Sequence, residues 1–212
     1  MSEEMIKKKF DIYDYLTGKV VNYFKKYMTF EELEEEKLYL GVLNVIVNFI
    51  KTSIILILAA CFSIVKEVLL MILVFALLRL YAAGLHAKKS ISCTLTALIA
   101  FVGGAYLTLN FPISFKVAFL ICVILSLLIL KYAPADTENR PIIGPQHRRK
   151  LKRNAFIIAV VILVINLILK NITFINLTML AMLYQVISIL PITYKILKRS
   201  YRNYEEYEKE LN

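Results

Sequence analysis

The sequence predicts an all-α fold, a polytopic membrane helix bundle with about six transmembrane helices and an N-terminal amphipathic interfacial helix. Hydrophobic residues make up 59% of the chain, against roughly 45–50% in a soluble domain. The mean hydropathy is +0.66. Six apolar segments each reach or exceed the length of about 17–25 residues that a helix needs to cross a bilayer core.

Residues 1–28 are predicted to contain the amphipathic helix. Apolar side chains recur there at spacings of three, four or seven residues, close to the helical period. They are Ile6, Phe10, Tyr13, Val20, Phe24 and Tyr27. Lysines supply the other face, which favours a helix lying in the membrane interface. A cytosolic cap packed on the bundle is the alternative.

The first span is predicted near residues 38–65, in a helix that starts at the capping box Thr29–Glu32. This span carries a polar stripe, because Asn44, Asn48 and Lys51 lie at positions i, i+4 and i+7. Polar groups at membrane depth usually face the bundle or a wet cavity, so the stripe is a candidate substrate-binding face. Alternatively, the lysine snorkels to the interface and the asparagines hold helices together.

The distribution of charge predicts the orientation of the spans. The other five are expected at 67–85, 91–109, 113–133, 154–170 and 174–194. The net charge is +10, and most basic residues lie in 1–37, 88–89, 131–153 and 195–212, beside apolar runs. Such clusters favour anionic lipid headgroups over nucleic acid as partners and mark the cytoplasmic side. Both termini are therefore expected in the cytoplasm.

The stretch from Arg79 to Cys93 concentrates reactive side chains between two spans. It contains His86, one of only two histidines, and Cys93, one of three cysteines. On one unbroken helix, their Cα atoms would lie about 10.5 Å apart along the axis, so we expect the chain to turn between them. Cys93 then falls in the first turn of a helix, where the dipole stabilises a thiolate. His86 would act as general base and acid in acyl transfer, as in a membrane-embedded cysteine protease.

Two neighbours of this pair are candidates for substrate or charge contacts. Arg79 precedes His86 by seven residues and is expected on nearly the same helix face. Its cation should meet a substrate carboxylate, an oxyanion or an acid of the protein, unless it snorkels to the surface. Gly84 lacks a side chain, so a peptide backbone could approach there.

Segment 131–153 is a second candidate region. Its basic run, which includes Arg148, Arg149 and Lys150, is a candidate site for an acidic peptide tail or anionic lipid. Alternatively, these basic residues only fix the orientation of the neighbouring spans, with this segment on the cytoplasmic side. Asp136 is a candidate for orienting His86.

The remaining histidine and cysteines are interpreted as structural. His147 is expected in a solvated basic loop. Cys61 and Cys122 are expected as small buried hydrophobes. The cysteine spacing contains no C-x-x-C, which argues against a zinc site or a disulfide framework, and no metal or other cofactor is expected.

The sequence resembles the accessory gene regulator protein B (AgrB) family. The resemblance is carried by Arg79, His86, Ala87 and Cys93, followed by Y-A-P-A-D-T-E-N-R-P-I at 132–142. It implies a membrane cysteine endopeptidase in a bacterial cell membrane that cuts the C-terminal part from a quorum-sensing peptide precursor. By the same resemblance, Cys93 is the nucleophile and His86 its base, and the acyl-enzyme thioester is closed into a thiolactone (or lactone) ring. A homodimer is also implied.

Three segments follow from these predictions: an amphipathic helix (1–28), a transmembrane peptidase domain (29–198) and a charged cytoplasmic tail (199–212). Two other functions are compatible with the apolar spans. A small peptide transporter or exporter without proteolytic activity would use Arg79 and the polar stripe as a path, and a membrane scaffold would use neither. Replacing Cys93 discriminates between these functions and the protease.

Overall fold

A computed structural model describes residues 12–85, 90–138 and 140–210, and every regular element in these ranges is helical. The first half contains α1 (Ile12–Lys25), α2 (Glu32–Cys61), α3 (Val65–Ala82), α4 (Ser90–Leu98), a π-helix (Ile99–Gly103) and α5 (Gly104–Asn110). The second half contains α6 (Phe115–Tyr132), α7 (Pro145–Leu169), α8 (Ile172–Ile189), α9 (Pro191–Ile196) and α10 (Tyr204–Glu210). The predicted all-α, polytopic helical fold is confirmed.

Five helical stretches among the described residues are long and apolar enough to cross a membrane. They are Glu32–Cys61, Cys93–Asn110, Phe115–Tyr132, Pro145–Leu169 and Ile172–Ile189. The remaining predicted span, α3, has 18 residues but carries three charged residues, Lys66, Glu67 and Arg79. Five of the six predicted spans are therefore supported by a helical stretch that is long and apolar enough to cross a membrane.

The chain divides into two compact units, Met1–Ile57 and Leu58–Asn212. In the first unit, Lys25 pairs with Glu35 at 2.8 Å, and the Tyr39 hydroxyl donates to Asp14 at 2.7 Å. The predicted helix is present from Ile12, whereas Ile6 and Phe10 of its proposed apolar face lie outside the described residues. Its place in the membrane interface stays a prediction.

The start of α2 differs from the predicted Thr29–Glu32 capping box. The Glu31 carbonyl accepts from the N–H groups of Glu34 and Glu35, each at 2.9 Å. The Glu34 carboxylate accepts in return from the Glu31 N–H at 3.2 Å. The acidic run offers several acids at capping spacing, and the carboxylate three residues after Glu31 makes the reciprocal bond.

In the second unit, α8 packs against α3 and α6, and α7 packs against the same two helices. Small alanines allow close approach in the core, among them Ala82, Ala155 and Ala181, each fully buried. Two buried polar contacts link this core. Asn166 donates to the Thr178 hydroxyl at 3.0 Å, and Asn176 donates to the Ile113 carbonyl at 2.9 Å.

The predicted third span is interrupted by the π-helix before Gly104. A Cβ at Gly104 would lie 2.6 Å from the Tyr184 hydroxyl oxygen and 2.8 Å from a Leu180 methyl carbon of α8. Glycine is therefore required for this close approach. The neighbouring Gly103 faces open space.

Candidate active site

The candidate site is built where α3 stops, at the end of the bundle that also holds the last residues of α6 and α8. Ala83 (φ 53°) and Gly84 (φ 113°) both adopt left-handed φ values, which no helix continues. The Gly84 N–H donates to the Ala135 carbonyl at 2.8 Å, and the Ala135 N–H donates to the Ala82 carbonyl at 3.0 Å. The chain after α3 is thus tied to the segment after α6.

Helix α3 ends at Ala82, three residues before the end of the predicted span 67–85. Arg79 consequently lies in the last turn of α3. The expected continuous helix from Arg79 to His86 is wrong because Ala83–Leu85 are not helical, and His86 itself lies outside the described residues.

Arg79 binds carbonyl oxygens of the non-helical segment that follows α3. Its Nη2 donates to the Gly84 carbonyl at 2.9 Å and also to the Leu85 carbonyl. Its Nη1 donates to the Ser188 hydroxyl of α8 at 2.9 Å. The planar guanidinium, whose donors have a fixed geometry, serves these three oxygens at once. A cation at a helix C-terminus also interacts favourably with the helix dipole.

Helix α8 holds the segment Ala83–Leu85 from its other side. The Leu85 N–H donates to the Ser188 carbonyl at 3.0 Å, and the Gln185 side chain donates to the Ala83 carbonyl at 2.9 Å. A Cβ at Gly84 would lie 2.7 Å from the Ser188 hydroxyl oxygen and 2.9 Å from Arg79 Nη1. The space beside Gly84 is therefore filled by this chain's own side chains. This differs from the prediction that the glycine admits a peptide backbone.

Cys93 is half-buried in the first turn of α4. The Arg79 guanidinium lies within electrostatic range of this thiol. The predicted partner, His86, lies outside the described residues. Of the other two cysteines, Cys122 is buried as expected, whereas Cys61 is exposed and does not fit the prediction of a buried hydrophobe.

Asp136 is buried, with 3% exposure, and accepts hydrogen bonds from the C-terminal segment. Its carboxylate accepts from the Asn203 N–H at 3.1 Å and from the Tyr204 N–H at 2.7 Å, where α10 begins. Its backbone carbonyl accepts from the Tyr194 hydroxyl at 2.7 Å. Burial raises the pKa of Tyr194, which keeps this phenol protonated as a donor. The orientation of His86 by Asp136 remains a prediction.

The basic run is helical, since α7 begins at Pro145, nine residues before the predicted span and inside the predicted loop. Arg148 is bound to the C-terminal helix: it donates to Glu208 at 2.6 Å and lies 3.8 Å from the centre of the Tyr204 ring. Arg149 and Lys150 are exposed and, with His147, line a shallow concavity. They remain candidates for binding an anionic partner, whereas Arg148 already has a carboxylate partner.

Residues 199–210, predicted as a charged tail, fold back onto this end of the bundle. Glu208 also accepts from the Gly144 N–H at 2.9 Å, and these two hydrogen bonds, the Arg148 bond foremost, lower the pKa of Glu208. Glu138 accepts from Arg199 Nε and from the Ser200 N–H, each at 3.0 Å. The tail is thus fixed by three acids, Asp136, Glu138 and Glu208.

The polar stripe of α2 belongs to the first compact unit. Asn48 donates to the Asn44 side-chain oxygen at 3.0 Å, and both residues are exposed. Lys51 is half-buried. The asparagines therefore satisfy part of each other's hydrogen-bonding capacity along one helix. Among the described residues, no group of three His, Cys, Asp or Glu side chains is arranged to hold a metal ion.

These features define a multi-pass helical membrane protein with a half-buried thiol and a fixed arginine at one end of its bundle. The sequence matches the family described as Accessory gene regulator B over residues 17–189, and the chain belongs to that family. Membership implies a part in accessory gene regulator quorum sensing, in the processing of its signal peptide.

Similar proteins come from several bacteria. The chain is 39% identical to an AgrB-like protein of Clostridium acetobutylicum, over 87% of this chain and 88% of that protein. It is 38% identical to an AgrB-like protein of Listeria innocua, over 81% and 84%. It is 29% identical to the accessory gene regulator protein B of Staphylococcus lugdunensis, over 80% and 89%. No solved structure matches the chain.

Sequence reasoning did not single out Gln185, Ser188 or Tyr194, which hold the candidate site together. Gln185 and Ser188 are polar residues in an otherwise apolar stretch, three positions apart and so on one face of a helix. That spacing was the available signal, since polar side chains inside a span need partners in the bundle.

Proposed function

We propose that this chain is a membrane-embedded cysteine endopeptidase that cleaves the C-terminal part from the precursor of an autoinducing peptide. The observation that carries the proposal is the arrangement around Arg79. This side chain binds the carbonyls of Gly84 and Leu85, which precede His86 in the sequence, and lies within electrostatic range of Cys93. One cation thus contacts the segment that leads to His86 and lies near the thiol of Cys93, although Arg79 belongs to α3 and Cys93 to α4.

The proposed reaction is acyl transfer. The Cys93 sulfur attacks the scissile carbonyl while His86 accepts the thiol proton, and His86 then gives that proton to the leaving amine. The C-terminal part departs and the N-terminal part remains as a thioester. A thiol (or hydroxyl) inside the bound precursor attacks this thioester, its proton passes through His86 to the Cys93 sulfur, and a thiolactone (or lactone) ring leaves. A site at the membrane edge favours this outcome because it keeps water from the intermediate.

The remaining parts of the proposal concern placement and partners. The chain is proposed to lie in a bacterial cell membrane with both termini and the site on the cytoplasmic side, since basic residues concentrate in 131–153 and 195–212. The exposed Arg149 and Lys150 are proposed to contact an acidic segment of the precursor or anionic lipid. Lipid contacts and a homodimer are further proposed partners.

Co-expression with a candidate precursor encoded beside this chain tests the proposal. Mass spectrometry should detect the released C-terminal fragment with the unchanged chain and lose it completely with Cys93→Ala. Cys61→Ala and Cys122→Ala are the matched controls and should still release the fragment. A Cys93→Ala variant that inserts normally and still cleaves would contradict the protease. A Cys93-independent export of peptide would instead favour the transporter.

A further inference from the structure

The segment that joins α8 to the C-terminal tail exposes large apolar side chains at the end of the bundle that holds the candidate site. Helix α8 ends at Ile189, and α9 begins two residues later. In this segment, Ile192, Ile196 and Leu197 are 55%, 71% and 56% exposed. A group of neighbouring exposed apolar side chains marks a surface that contacts a partner or a membrane.

The opposite side of α9 is fixed to the bundle. Tyr194 is 1% exposed, its hydroxyl donates to the Asp136 carbonyl at 2.7 Å, and its ring centre lies 5.0 Å from that of Tyr201. Positions 192 and 194 lie on opposite sides of a helix, because two residues turn it by about 200°. Helix α9 therefore cannot roll to bury Ile192 and Ile196 without breaking the contacts of Tyr194.

The length of α8 sets the depth at which α9 lies. Helix α8 has 18 residues and is one of the stretches that are apolar enough to cross a membrane. Its rise is about 27 Å, close to the thickness of about 30 Å of a bilayer's hydrocarbon core. A span of this length ends where the hydrocarbon core meets the headgroups. The exposed side of α9, which follows after a single residue, therefore lies at that boundary.

Two lysines accompany the exposed apolar side chains. Lys195 and Lys198 are exposed, and neither forms a salt bridge within the described ranges of the chain. The next basic residue, Arg199, instead pairs with Glu138 at 3.0 Å. Lysines beside an apolar helix face are typical of helices that lie in a membrane interface, where their ammonium groups reach the lipid phosphates.

We propose that residues 191–198 form an interfacial anchor. Its apolar side chains, Ile192, Ile196 and Leu197, enter the lipid leaflet beside the candidate site, and Lys195 and Lys198 bind the phosphates of anionic phospholipids in that leaflet. This membrane contact goes beyond the proposed function and uses none of the residues of the proposed reaction. It also lies on a different surface from the basic residues of α7.

The anchor connects the membrane surface to the candidate site. Asp136, whose carbonyl accepts from Tyr194 of α9, directly follows Ala135. The Ala135 carbonyl accepts from the Gly84 N–H at 2.8 Å. Insertion of α9 into the leaflet thus holds the segment after α3 at a fixed depth relative to the lipid phosphates.

Tryptophan fluorescence tests the anchor, because the chain contains no tryptophan. Ile196→Trp is compared with Tyr207→Trp, a matched control at a position of α10 that is 41% exposed. Each full chain is reconstituted into vesicles of phosphatidylcholine and phosphatidylglycerol with lipids brominated at different acyl carbons, and iodide is the aqueous quencher. Brominated lipid should quench Ile196→Trp most strongly, from a depth of about 5–10 Å at the headgroup–acyl boundary. Iodide should quench Tyr207→Trp most strongly.

Two results would overturn the anchor. If iodide quenches both variants equally and brominated lipid quenches neither, α9 faces water. If Ile196→Trp is shielded from both quenchers while Tyr207→Trp responds to iodide, a protein surface such as a second copy of this chain covers α9, and no lipid does.

The role of the lysines is measured in the Ile196→Trp chain. Lys195→Gln/Lys198→Gln should shift the quenching toward iodide in vesicles that contain phosphatidylglycerol. It should also remove the difference between these vesicles and pure phosphatidylcholine, because a neutral amide is not attracted to an anionic surface. Lys195→Arg/Lys198→Arg and the exposed Lys209→Gln of α10 are the controls and should keep that difference. A difference that persists in the double glutamine variant would overturn phosphate binding by these lysines.

Discussion

Arg79 and the asparagine pair of α2 are both polar features within predicted spans, but their hydrogen-bond partners differ in kind. Arg79 bonds to the Gly84, Leu85 and Ser188 oxygens, which come from the non-helical segment after α3 and from α8. Asn44 and Asn48 bond to each other on one exposed helix face. The first arrangement exists only in the folded bundle, whereas the second would exist in an isolated helix.

This difference separates polar residues that form the site from polar residues that interact only with each other along one helix. A hydrogen bond between i and i+4 side chains stabilises a helix by only about 0.2–0.5 kcal/mol. Hydrogen bonds made by a charged group contribute about 1.5–3 kcal/mol each. We therefore expect function to depend on Arg79 far more than on the polar stripe.

Replacing Arg79 by lysine should give the largest effect. Lysine keeps the charge but has a single nitrogen in place of the planar guanidinium. It therefore cannot donate to the Gly84, Leu85 and Ser188 oxygens together. A displacement of about 1 Å at the reacting groups costs roughly a hundredfold in rate, and we expect a loss of that order in the initial rate of precursor cleavage per inserted molecule. Lys66→Arg, at the other end of α3, is the control for a cation swap. Cleavage at the unchanged rate in Arg79→Lys would show that charge alone suffices.

Lowering the pH should release the C-terminal helix, with an intermediate effect. The folded-state pKa of Glu208 is lowered by the Arg148 and Gly144 hydrogen bonds. Its contribution is therefore fully present above the ordinary carboxyl pKa of about 4.3 and is lost as the pH falls through the lower folded value. Hydrogen exchange followed by mass spectrometry, corrected for intrinsic rates, should show residues 200–210 protected at pH 7 and less protected at acidic pH.

Two variants isolate the contribution of this carboxylate. Glu208→Gln should reduce protection of residues 200–210 already at pH 7 and weaken its dependence on pH, because a neutral amide accepts more weakly from Arg148. Glu206→Gln changes an exposed acid of the same helix and should leave the profile unchanged. Equal profiles for the two variants would show that the Arg148–Glu208 pair does not fix the tail.

The parts of the site that could be predicted from the sequence depend on local spacing. Arg79, Gly84 and Cys93 stand close together in the chain, and their pattern predicted a helix with Cys93 in its first turn, as α4 has from Ser90 onward. The prediction for Gly84 failed because the space beside it depends on contacts distant in sequence. Arg79 and Ser188 are 109 positions apart, and nothing near Gly84 indicated that Ser188 would fill the space beside it.

The same limit explains the C-terminal segment. Its charges predicted a cytoplasmic tail without indicating any contact to the bundle, yet Asp136 accepts from backbone groups 67 and 68 positions later. Conversely, the spans were largely predictable because length and hydropathy determine them. The boundaries were less so: α7 includes the basic run, because Pro145 provides a favourable first helical residue and charged side chains do not stop a helix.

Replacing the asparagine pair should give the smallest effect, and it tests whether the polar stripe contributes to function. Asn44→Leu/Asn48→Leu removes both partners, so that no amide is left unpaired, and should change the cleavage rate by less than about twofold and helix stability by no more than about 0.5 kcal/mol. Either single variant leaves one amide without its partner and should be the less stable protein, so the two changes should be non-additive in thermal unfolding. A path-lining role predicts the reverse: each single change would lower peptide export, and the double variant would be the worst of the three.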